Sequence, residues 1–468
     1  MATTPERYDA VILGTGQAGK PLARALAGAG HRTAIVERSL VGGSCVNVGC
    51  TPTKAMIASG RVAHLAHRGG EYGVEVGRVG VDIPRVLARK RAIVESFRND
   101  SQEQLDSTPN LELIFGEASF VAPRQVRISA SDGAQRELSG DRIFINTGAR
   151  PAIPPVAEAP GVDVLTSSTI LDLAELPTHL IILGGGYIAV ELGQLYRRFG
   201  SHVTIVQRGG QLLGREDEDV AHAVADILRE DGIELRLNAE LIAARRDDNG
   251  DVVATVEAAE EQVEVRGSHL LVAAGRVPQT DRLALDRAGI ETDEQGHVRV
   301  DDRLETNVPG VYALGDVKGG PAFTHVAYDD YRIVETNLLK GGDARTTGRL
   351  LPYTVFLDPE LGRVGMSERE ARDSGHRIRL ARLPMTRVAR AIERGETRGF
   401  MKAVVDADTG AILGCAILGV EGGEVTSVLQ VAMMGGLPWT ALRDGMFSHP
   451  TLAESLNNLF MELDGSGD

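Results

Sequence analysis

A glycine-rich turn between an apolar strand and a helical pattern occurs twice, and this repeat constrains the fold more than any other feature. The first copy places GTGQAG, residues 14–19, after the apolar run 11–13. The second places GGGYIA, residues 184–189, after the apolar run 180–183. Such a turn lets a pyrophosphate approach the backbone at a helix N-terminus. The sequence therefore predicts two dinucleotide-binding sites, each at the edge of a parallel sheet.

The residue that ends the second strand differs between the two copies. In the first copy it is Glu37, which can accept a hydrogen bond from a ribose 2′-hydroxyl. In the second it is Gln207, with Arg208 beside it. An arginine attracts a 2′-phosphate and an acid repels it, so the second site favours NADPH over NADH. Arg215 is a candidate for a second cation at this site.

Two of the three cysteines, Cys45 and Cys50, lie in the motif CVNVGC. A disulfide that closes so small a loop adds little stability, which favours a redox pair over a structural bridge. Pro52 is typical of a first helical turn, and a cysteine at a helix N-terminus is favoured as the thiolate. A zinc half-site and two buried thiols are the alternative interpretations.

The composition is that of a glycine-rich α/β protein with several domains, since 55 of its 468 residues are glycine. Subtracting 65 acidic from 50 basic residues gives a formal charge of −15, which disfavours nucleic acid and anionic membranes as partners. We find no basic-then-apolar leader and no apolar run long enough to span a bilayer. We expect a cytoplasmic protein that acts on small molecules.

Several other residues could bind metal but have a simpler interpretation. His64 and His67 lie three residues apart on a predicted helix, where two solvated histidines are favoured over a metal site. Met433 and Met434 are favoured as a helical core or interface pair, and Cys415 as a buried core residue. Between residues 111 and 145, short alternating runs predict a small antiparallel sheet.

Taken together, the cysteine motif and its glycine flanks resemble the FAD-dependent pyridine nucleotide-disulfide oxidoreductases. This family includes glutathione reductase, dihydrolipoamide dehydrogenase and mercuric reductase. The resemblance implies that the first nucleotide is FAD, that the Cys50 thiolate lies against the flavin, and that Cys45 exchanges with substrate. It also implies that Tyr187 covers the nicotinamide pocket, and that Glu191 pairs with Lys54 near the flavin.

A histidine and an acid near the C-terminus complete the resemblance. In FSHPTLAE, residues 447–454, His449 precedes Glu454. Thiol exchange needs a base that removes and returns a proton, and an acid that orients the imidazole. By resemblance the two residues are that acid–base dyad and reach the disulfide of the partner subunit, which implies an obligate homodimer.

We therefore expect an α/β protein with two Rossmann-like dinucleotide-binding domains and a C-terminal α+β dimerisation domain. The expected segments are 1–150 and 276–348 for the FAD-binding domain, 151–275 for the NAD(P)H-binding domain and 349–468 for the dimerisation domain. The expected FAD contacts are Gly14, Gly16, Gly19, Glu37, Gly43, Ser44, Lys54, Thr147, Gly148 and Asp316. The expected NADPH contacts are Gly184, Gly186, Tyr187, Ile188, Gln207, Arg208 and Gly275.

Within the family, the substrate is the open question. Mercuric reductases carry a further C-terminal cysteine pair and lack the histidine, whereas dihydrolipoamide dehydrogenases usually have an acid where this chain has Gln207. GQAGK at 16–20, FTHVAYDDYRIV at 323–334 and SLNNLF at 455–460 resemble the reactive-chlorine-resistance flavoproteins, which reduce copper(II).

We expect electrons to pass from NADPH to FAD, to Cys45–Cys50 and then to a metal ion such as Cu(II) or Hg(II) in stress defence. That metal would be held transiently at Cys45. The alternatives are reduction of a small disulfide, dihydrolipoamide dehydrogenase activity, or a non-enzymatic role as a redox sensor or complex subunit.

Overall fold

The computed structural model describes residues 4–259 and 261–464. Residues 1–3 and 465–468, the ends of the first and last expected segments, lie outside it, as does residue 260 of the expected NAD(P)H-binding segment.

The strands follow in chain order: β1 (Glu6–Leu13), β2 (Thr33–Glu37), β3 (Leu111–Phe115), β4 (Glu117–Ala122), β5 (Gln125–Ser129), β6 (Gln135–Ile145), β7 (Ala149–Pro151), β8 (Val164–Thr166), β9 (His179–Leu183), β10 (His202–Gln207), β11 (Glu234–Leu237), β12 (Ala239–Arg246), β13 (Val252–Ala258), β14 (Glu261–Gly267), β15 (His269–Val272), β16 (Arg276–Pro278), β17 (Val311–Ala313), β18 (Pro352–Val355), β19 (Glu360–Gly365), β20 (Ile378–Pro384), β21 (Phe400–Asp406) and β22 (Ile412–Gly419).

The α-helices are α1 (Gly19–Gly28), α2 (Gly43–Asn47), α3 (Cys50–His67), α4 (Ile83–Asp106), α5 (Tyr187–Phe199), α6 (Glu218–Glu230), α7 (Thr324–Leu339), α8 (Glu368–Asp373), α9 (Ala389–Glu393), α10 (Gly422–Met434), α11 (Trp439–Arg443) and α12 (Ser455–Met461). Of the described helices, none has the length and apolar character needed to cross a membrane.

The chain divides into two compact units. Unit 1 comprises the described residues of 1–56, 84–152 and 275–349, and unit 2 those of 57–83, 153–274 and 350–468.

Unit 1 is built on a seven-stranded sheet of order β3-β2-β1-β6-β5-β4, with β17 beside β6. Alternate residues of β1 point to opposite faces, as a strand requires: Val11 and Leu13 pack into one core, Ala10 and Ile12 into the other. β1, β2, β3, β6 and β17 are parallel, and only β4, β5 and β6 pair antiparallel.

The small antiparallel sheet predicted for residues 111–145 is therefore wrong as a separate sheet. β3 pairs parallel with β2, and β6 is long enough to pair parallel with β1 on one side and antiparallel with β5 on the other. A local alternation of apolar and polar residues cannot report which distant strand lies alongside.

Unit 2 contains three sheets. The parallel sheet β11-β10-β9-β15-β8 carries the second glycine turn after β9, and β12-β13-β14 form an antiparallel sheet inserted in its sequence. The antiparallel sheet β18-β19-β22-β21-β20 contributes to a core that includes Leu429 of α10 and Phe460 of α12. Two parallel nucleotide-type sheets and a C-terminal α+β region confirm the predicted fold class.

Parallel pairing gathers the carboxyl ends of several strands at one edge of each sheet. In unit 1, Leu13 pairs with Val36 and Ile145, and Ile145 pairs with Ala313. The turns that follow carry most of the expected FAD contacts. In unit 2, Leu183 pairs with Val206 and Val272, so the second glycine turn and Gln207 lie at the corresponding edge.

Candidate active site

The first glycine turn passes too close to other backbone atoms to tolerate side chains. Gly14 has φ +106, and a Cβ there would lie 2.4 Å from the carbonyl oxygen of Asn146. A Cβ on Gly19 would lie 2.2 Å from the Gly14 oxygen, and one on Gly43 would lie 2.8 Å from Cα of Gly16. The first turn of α1 contains no acidic residue. A helix N-terminus without acidic residues and with so close a backbone approach fits the pyrophosphate of a dinucleotide.

Glu37 is held firmly at the end of β2. Its Oε2 accepts hydrogen bonds from the Thr15 hydroxyl at 2.6 Å and from the Thr15 backbone N–H at 3.2 Å. Its Oε1 accepts from the N–H of Ser39 at 3.0 Å. A carboxylate has about four acceptor sites, so a ribose hydroxyl can still be bound.

Three further expected FAD contacts follow β6 and β17. The Thr147 hydroxyl donates to the Gln279 carbonyl at 2.9 Å, and Gly148 has φ +71. Asp316 is in the short turn after β17; burial raises its pKa, opposed by Arg276 at 3.8 Å. A buried carboxyl group of this kind is a suitable acceptor for a neutral hydroxyl.

The two motif cysteines are brought together. Cys45 lies on α2, and α3 begins at Cys50, as Pro52 predicted. A hydrogen bond to Cys50, together with burial, raises the pKa of the Cys45 thiol. Cys50 is exposed and sits at a helix N-terminus, where the thiolate is favoured.

Thr324 was missed by sequence reasoning. It is the first residue of α7, and its Oγ1 lies 3.2 Å from Sγ of Cys50. The only sequence signal was a threonine ahead of a helical pattern, which has many explanations. Asn47 explains the asparagine of the motif, because its side chain donates to the carbonyls of Val41 and Gly43, both at 3.0 Å.

Two further expected residues lie beside the cysteines in the sequence. Ser44 is exposed on α2, and Lys54 is half-buried one turn after Cys50 on α3. Their expected roles at the flavin stay predictions.

The second glycine turn repeats the backbone path of the first in unit 2. Gly184 has φ +115, and a Cβ there would lie 2.4 Å from the carbonyl oxygen of Ala273. Gly186 caps α5, whose first residues are Tyr187 and Ile188. Glu191, one turn later, is 3% exposed, and its Oε1 accepts from the Phe356 N–H at 2.8 Å. Gly275 has φ +139 and begins the last segment of unit 1.

The expected 2′-phosphate residues lie after β10. Gln207 folds back so that its Cδ would lie 2.9 Å from a Cβ on Gly185, and its amide donates to the Gln211 carbonyl at 3.4 Å. Arg208 and Arg215 are exposed. Within residues 4–259 and 261–464, neither guanidinium has a hydrogen-bond or ion-pair partner.

His449 and Glu454 form the expected pair in unit 2. Nδ1 of His449 lies 2.8 Å from Oε2 and 3.0 Å from Oε1 of Glu454. Thr451 supports the turn, accepting from the Glu454 N–H at 3.1 Å and donating to the Ser448 carbonyl at 2.8 Å. The His449 side chain is 70% exposed, so Nε2 is accessible for proton exchange.

The remaining candidates divide between core and surface. Cys415 is in the core as predicted, and burial raises its pKa to about 12. Met433 packs against that core and Met434 is exposed. His64 is half-buried rather than solvated as the sequence predicted, and this burial, together with the charge of Arg198, lowers its pKa to about 4. Among the described residues, no three His, Cys, Asp or Glu side chains are grouped to hold a metal.

Comparison with known proteins identifies the family. Residues 8–330 match the model described as pyridine nucleotide-disulphide oxidoreductase, and residues 351–460 match its dimerisation domain. A probable pyridine nucleotide-disulfide oxidoreductase RclA of Escherichia coli is 40% identical over 461 residues, which are 97% of this chain and 99% of that protein. A mercuric reductase of Streptomyces lividans is 33% identical over 450 residues, 96% of this chain and 94% of that protein.

A solved structure agrees with these sequence relatives. The Cu(II) complex of the HOCl-induced flavoprotein disulfide reductase RclA from Escherichia coli has a TM-score of 0.88 at 39% identity. The match covers 97% of this chain and 99% of that chain. The dimerisation-domain match supports a homodimer. The chain therefore belongs to the pyridine nucleotide-disulphide oxidoreductases, enzymes that use a flavin and a nicotinamide cofactor.

Proposed function

We propose that this enzyme uses NADPH to reduce the Cys45–Cys50 pair, which then reduces a metal ion such as Cu(II) or Hg(II). The observation that carries the proposal is the contact of the two thiols at the start of α3, beside the Thr324 hydroxyl. A relative solved as a Cu(II) complex and a mercuric reductase relative support a metal as the oxidant.

The carboxyl edge of the unit 1 sheet fits FAD. Gly14, Gly16 and Gly19 would cradle the pyrophosphate, Glu37 would bind the ribose, and Asp316 would accept from the ribityl hydroxyls. Contacts from Gly43, Ser44, Lys54, Thr147 and Gly148 belong to the same proposal. When bound, the flavin supplies the electron relay between the nicotinamide and the cysteine pair.

The cysteine pair accounts for both electrons and protons. When two thiols close to a disulfide, an S–S bond forms, and two electrons and two protons are released. The two electrons reduce two Cu(II) ions to Cu(I), or one Hg(II) to the metal. Cys45 would meet the oxidant, because soft thiolates bind these metals well. The α3 N-terminus would favour Cys50 as the thiolate, with the Thr324 hydroxyl 3.2 Å from its sulfur.

Four ionisable side chains would assist. Lys54, oriented by Glu191, would offset negative charge at the reduced flavin. His449, oriented by Glu454 through Nδ1, would exchange protons with Cys45 of the partner protomer through Nε2.

The second nucleotide would be NADPH rather than NADH. Support comes from Gln207, which carries no charge to repel a 2′-phosphate, and from the exposed Arg208 and Arg215, whose guanidiniums have no partner among the described residues. Gly184, Gly186, Tyr187, Ile188 and Gly275 would complete the nicotinamide nucleotide site.

A small disulfide, including the dihydrolipoamide of the dehydrogenases, is the second candidate acceptor. The His449–Glu454 dyad favours it, because a thiol leaving a disulfide needs a proton that a metal ion does not.

The test is anaerobic NADPH oxidation with Cu(II), Hg(II) and a panel of small disulfides, using native protein and His449→Gln. A metal reductase should turn over rapidly with a metal and slowly with every disulfide, and His449→Gln should slow the metal reaction, because the Cys45 proton then lacks its acceptor. Rapid turnover with one disulfide, lost in His449→Gln, would contradict the metal assignment. No turnover with any acceptor would favour a redox sensor instead.

A further inference from the structure

Helix α5, which follows the second glycine turn, is held along one face by residues 356–358. Glu191, Gln194 and Arg198 are spaced three and four residues apart, so they share that face. The Phe356 N–H donates to Oε1 of Glu191 at 2.8 Å. The Gln194 amide accepts from the Asp358 N–H at 2.7 Å and donates to the Asp358 carbonyl at 2.8 Å.

The Gln194 contact is buried and directional. Gln194 is 3% exposed, and its Nε2 also donates to Oδ2 of Asp231 at 2.7 Å. A shift of the 356–358 segment along α5 would break both bonds and leave the Asp358 N–H unpaired away from water. Because buried unpaired groups are costly, this double contact fixes the register between helix and segment.

Attachment of the segment does not itself depend on Gln194. Three arginines also bind Asp358: Arg198 and Arg61 donate to its carboxylate, Arg198 at 2.6 Å, and Arg398 donates to its carbonyl at 2.9 Å. Within the part of the chain that the structure describes, Gln194 is the side chain that pairs with both the N–H and the C=O of Asp358.

We propose that Gln194 is a positioning residue for Glu191: by fixing residues 356–358 to α5, it holds the Phe356 N–H where that group orients the Glu191 carboxylate. A carboxylate that is 3% exposed takes its orientation from protein donors rather than from water. The inference rests on the proposed role of Glu191 in flavin reduction.

The experiment compares Gln194→Met in the holoenzyme with a control on the same helix. The Tyr196 hydroxyl, also buried, donates to the Ile170 carbonyl at 2.7 Å, so Tyr196→Phe removes an α5 hydrogen bond away from residues 356–358. We would measure deuterium exchange of the peptide that contains 356–358, and the limiting rate and half-saturation of flavin reduction by NADPH in stopped flow.

For Gln194→Met we expect deuterium exchange in residues 356–358 to be about tenfold faster than in the native protein. The limiting rate of flavin reduction should be about tenfold slower. Half-saturation by NADPH should stay at the native value, and Tyr196→Phe should alter none of the three. Gln194→Glu, which keeps the side-chain volume but loses both donors, is a second variant with the same expected direction if Gln194→Met does not fold.

Glu191→Gln tests the role of Glu191 in flavin reduction separately from the positioning role of Gln194. Slow flavin reduction in Glu191→Gln with a native rate in both Gln194 variants would overturn the positioning role alone. Faster exchange without slower flavin reduction in those variants would do the same. An unchanged rate in Glu191→Gln would overturn the role of Glu191, and the inference with it.

Discussion

In the first glycine turn the amide of Asn146 ties three segments together, whereas the second turn has no such brace at the matching position. Oδ1 of Asn146 accepts from the Gly19 N–H and its Nδ2 donates to the Leu314 carbonyl, both at 2.9 Å. A Cβ on Gly16 would lie 2.8 Å from that Oδ1, but a Cβ on Gly186 would meet nothing within 4 Å.

The difference shows that the glycine motif provides a turn that can bind phosphate, whereas residues distant in the sequence determine how tightly that turn is packed. A turn braced by β6 and β17 suits a nucleotide that stays bound through many turnovers. A more open turn flanked by unpaired arginines suits a nucleotide that enters and leaves. This supports a resident flavin in unit 1 and an exchanging nicotinamide nucleotide in unit 2.

The strongest test of this difference between the two turns is to exchange the residues at the third glycine position of the motif, Gly19 and Ala189. In Gly19→Ala the new Cβ would lie 2.2 Å from the Gly14 carbonyl, so α1 must move and we expect loss of most bound flavin. The flavin-to-protein absorbance ratio after gel filtration measures this. In Ala189→Gly the flavin content should stay native, and the expected cost is about 1 kcal/mol of helix stability. Equal flavin loss in both variants would contradict the account.

The units also differ in how they hold a buried carboxyl group. Burial opposes ionisation of Asp358, but Arg198 and Arg61 outweigh it and lower its pKa. Asp358→Asn removes the carboxylate that both guanidiniums bind, at a cost of about 3 kcal/mol at pH 7. The stability that ionised Asp358 gives the native protein over the variant is complete above the pKa of an unfolded aspartate, about 3.9. It is lost as the pH falls through the lower pKa of Asp358 in the folded protein. The Tm difference should therefore shrink below about pH 4.

Asp316 in unit 1 should show the opposite trend. Burial raises its pKa, so the charged form destabilises the fold once the pH rises above the unfolded value. In flavin-free protein, the Tm of Asp316→Asn relative to native should rise from pH 4 to pH 7. Parallel trends for Asp316→Asn and Asp358→Asn would show that their surroundings do not differ as described.

Arg208 and Arg38 occupy the same position after the second strand of each nucleotide sheet. Arg208→Ala should raise the KM for NADPH about tenfold or more, because a charge-assisted bond to phosphate contributes about 1.5–3 kcal/mol. The KM for NADH should stay near native. Arg38, which donates to Gln279, is the matched control, and Arg38→Ala should leave both values unchanged. A native KM for NADPH in Arg208→Ala would show that Arg208 does not bind the 2′-phosphate.

A smaller effect on nucleotide preference is expected from Gln207, which occupies in unit 2 the position that Glu37 occupies in unit 1. Gln207→Glu restores an acid that repels a 2′-phosphate and accepts from a 2′-hydroxyl. We expect kcat/KM for NADPH to fall and that for NADH to rise, each by about fivefold, or about 1 kcal/mol. Initial rates with both nucleotides measure the ratio, and an unchanged ratio would show that Gln207 does not face the ribose.

The sequence was sufficient where a signal is local. Both glycine turns, the start of α3 at Cys50 and the burial of Cys415 follow from residues within a few positions of each other. Thr324 and Asn146 could not be found in this way, because parallel pairing and helix placement bring them to Cys50 and Gly19 across long stretches of chain. The prediction that His64 is solvated was wrong for the same reason. Burial and the charge of Arg198 lower its pKa, and Arg198 lies on a different helix, far away in the sequence.

The central claim, that electrons leave through Cys45 and Cys50, is tested most directly by differential alkylation with mass spectrometry. Anaerobic holoenzyme would be alkylated before NADPH, after NADPH, and after NADPH followed by Cu(II). Labelling of Cys45 and Cys50 should appear only with NADPH and disappear again with Cu(II), while buried Cys415 stays unlabelled throughout. Labelling of Cys45 that is the same in all three samples would contradict the account.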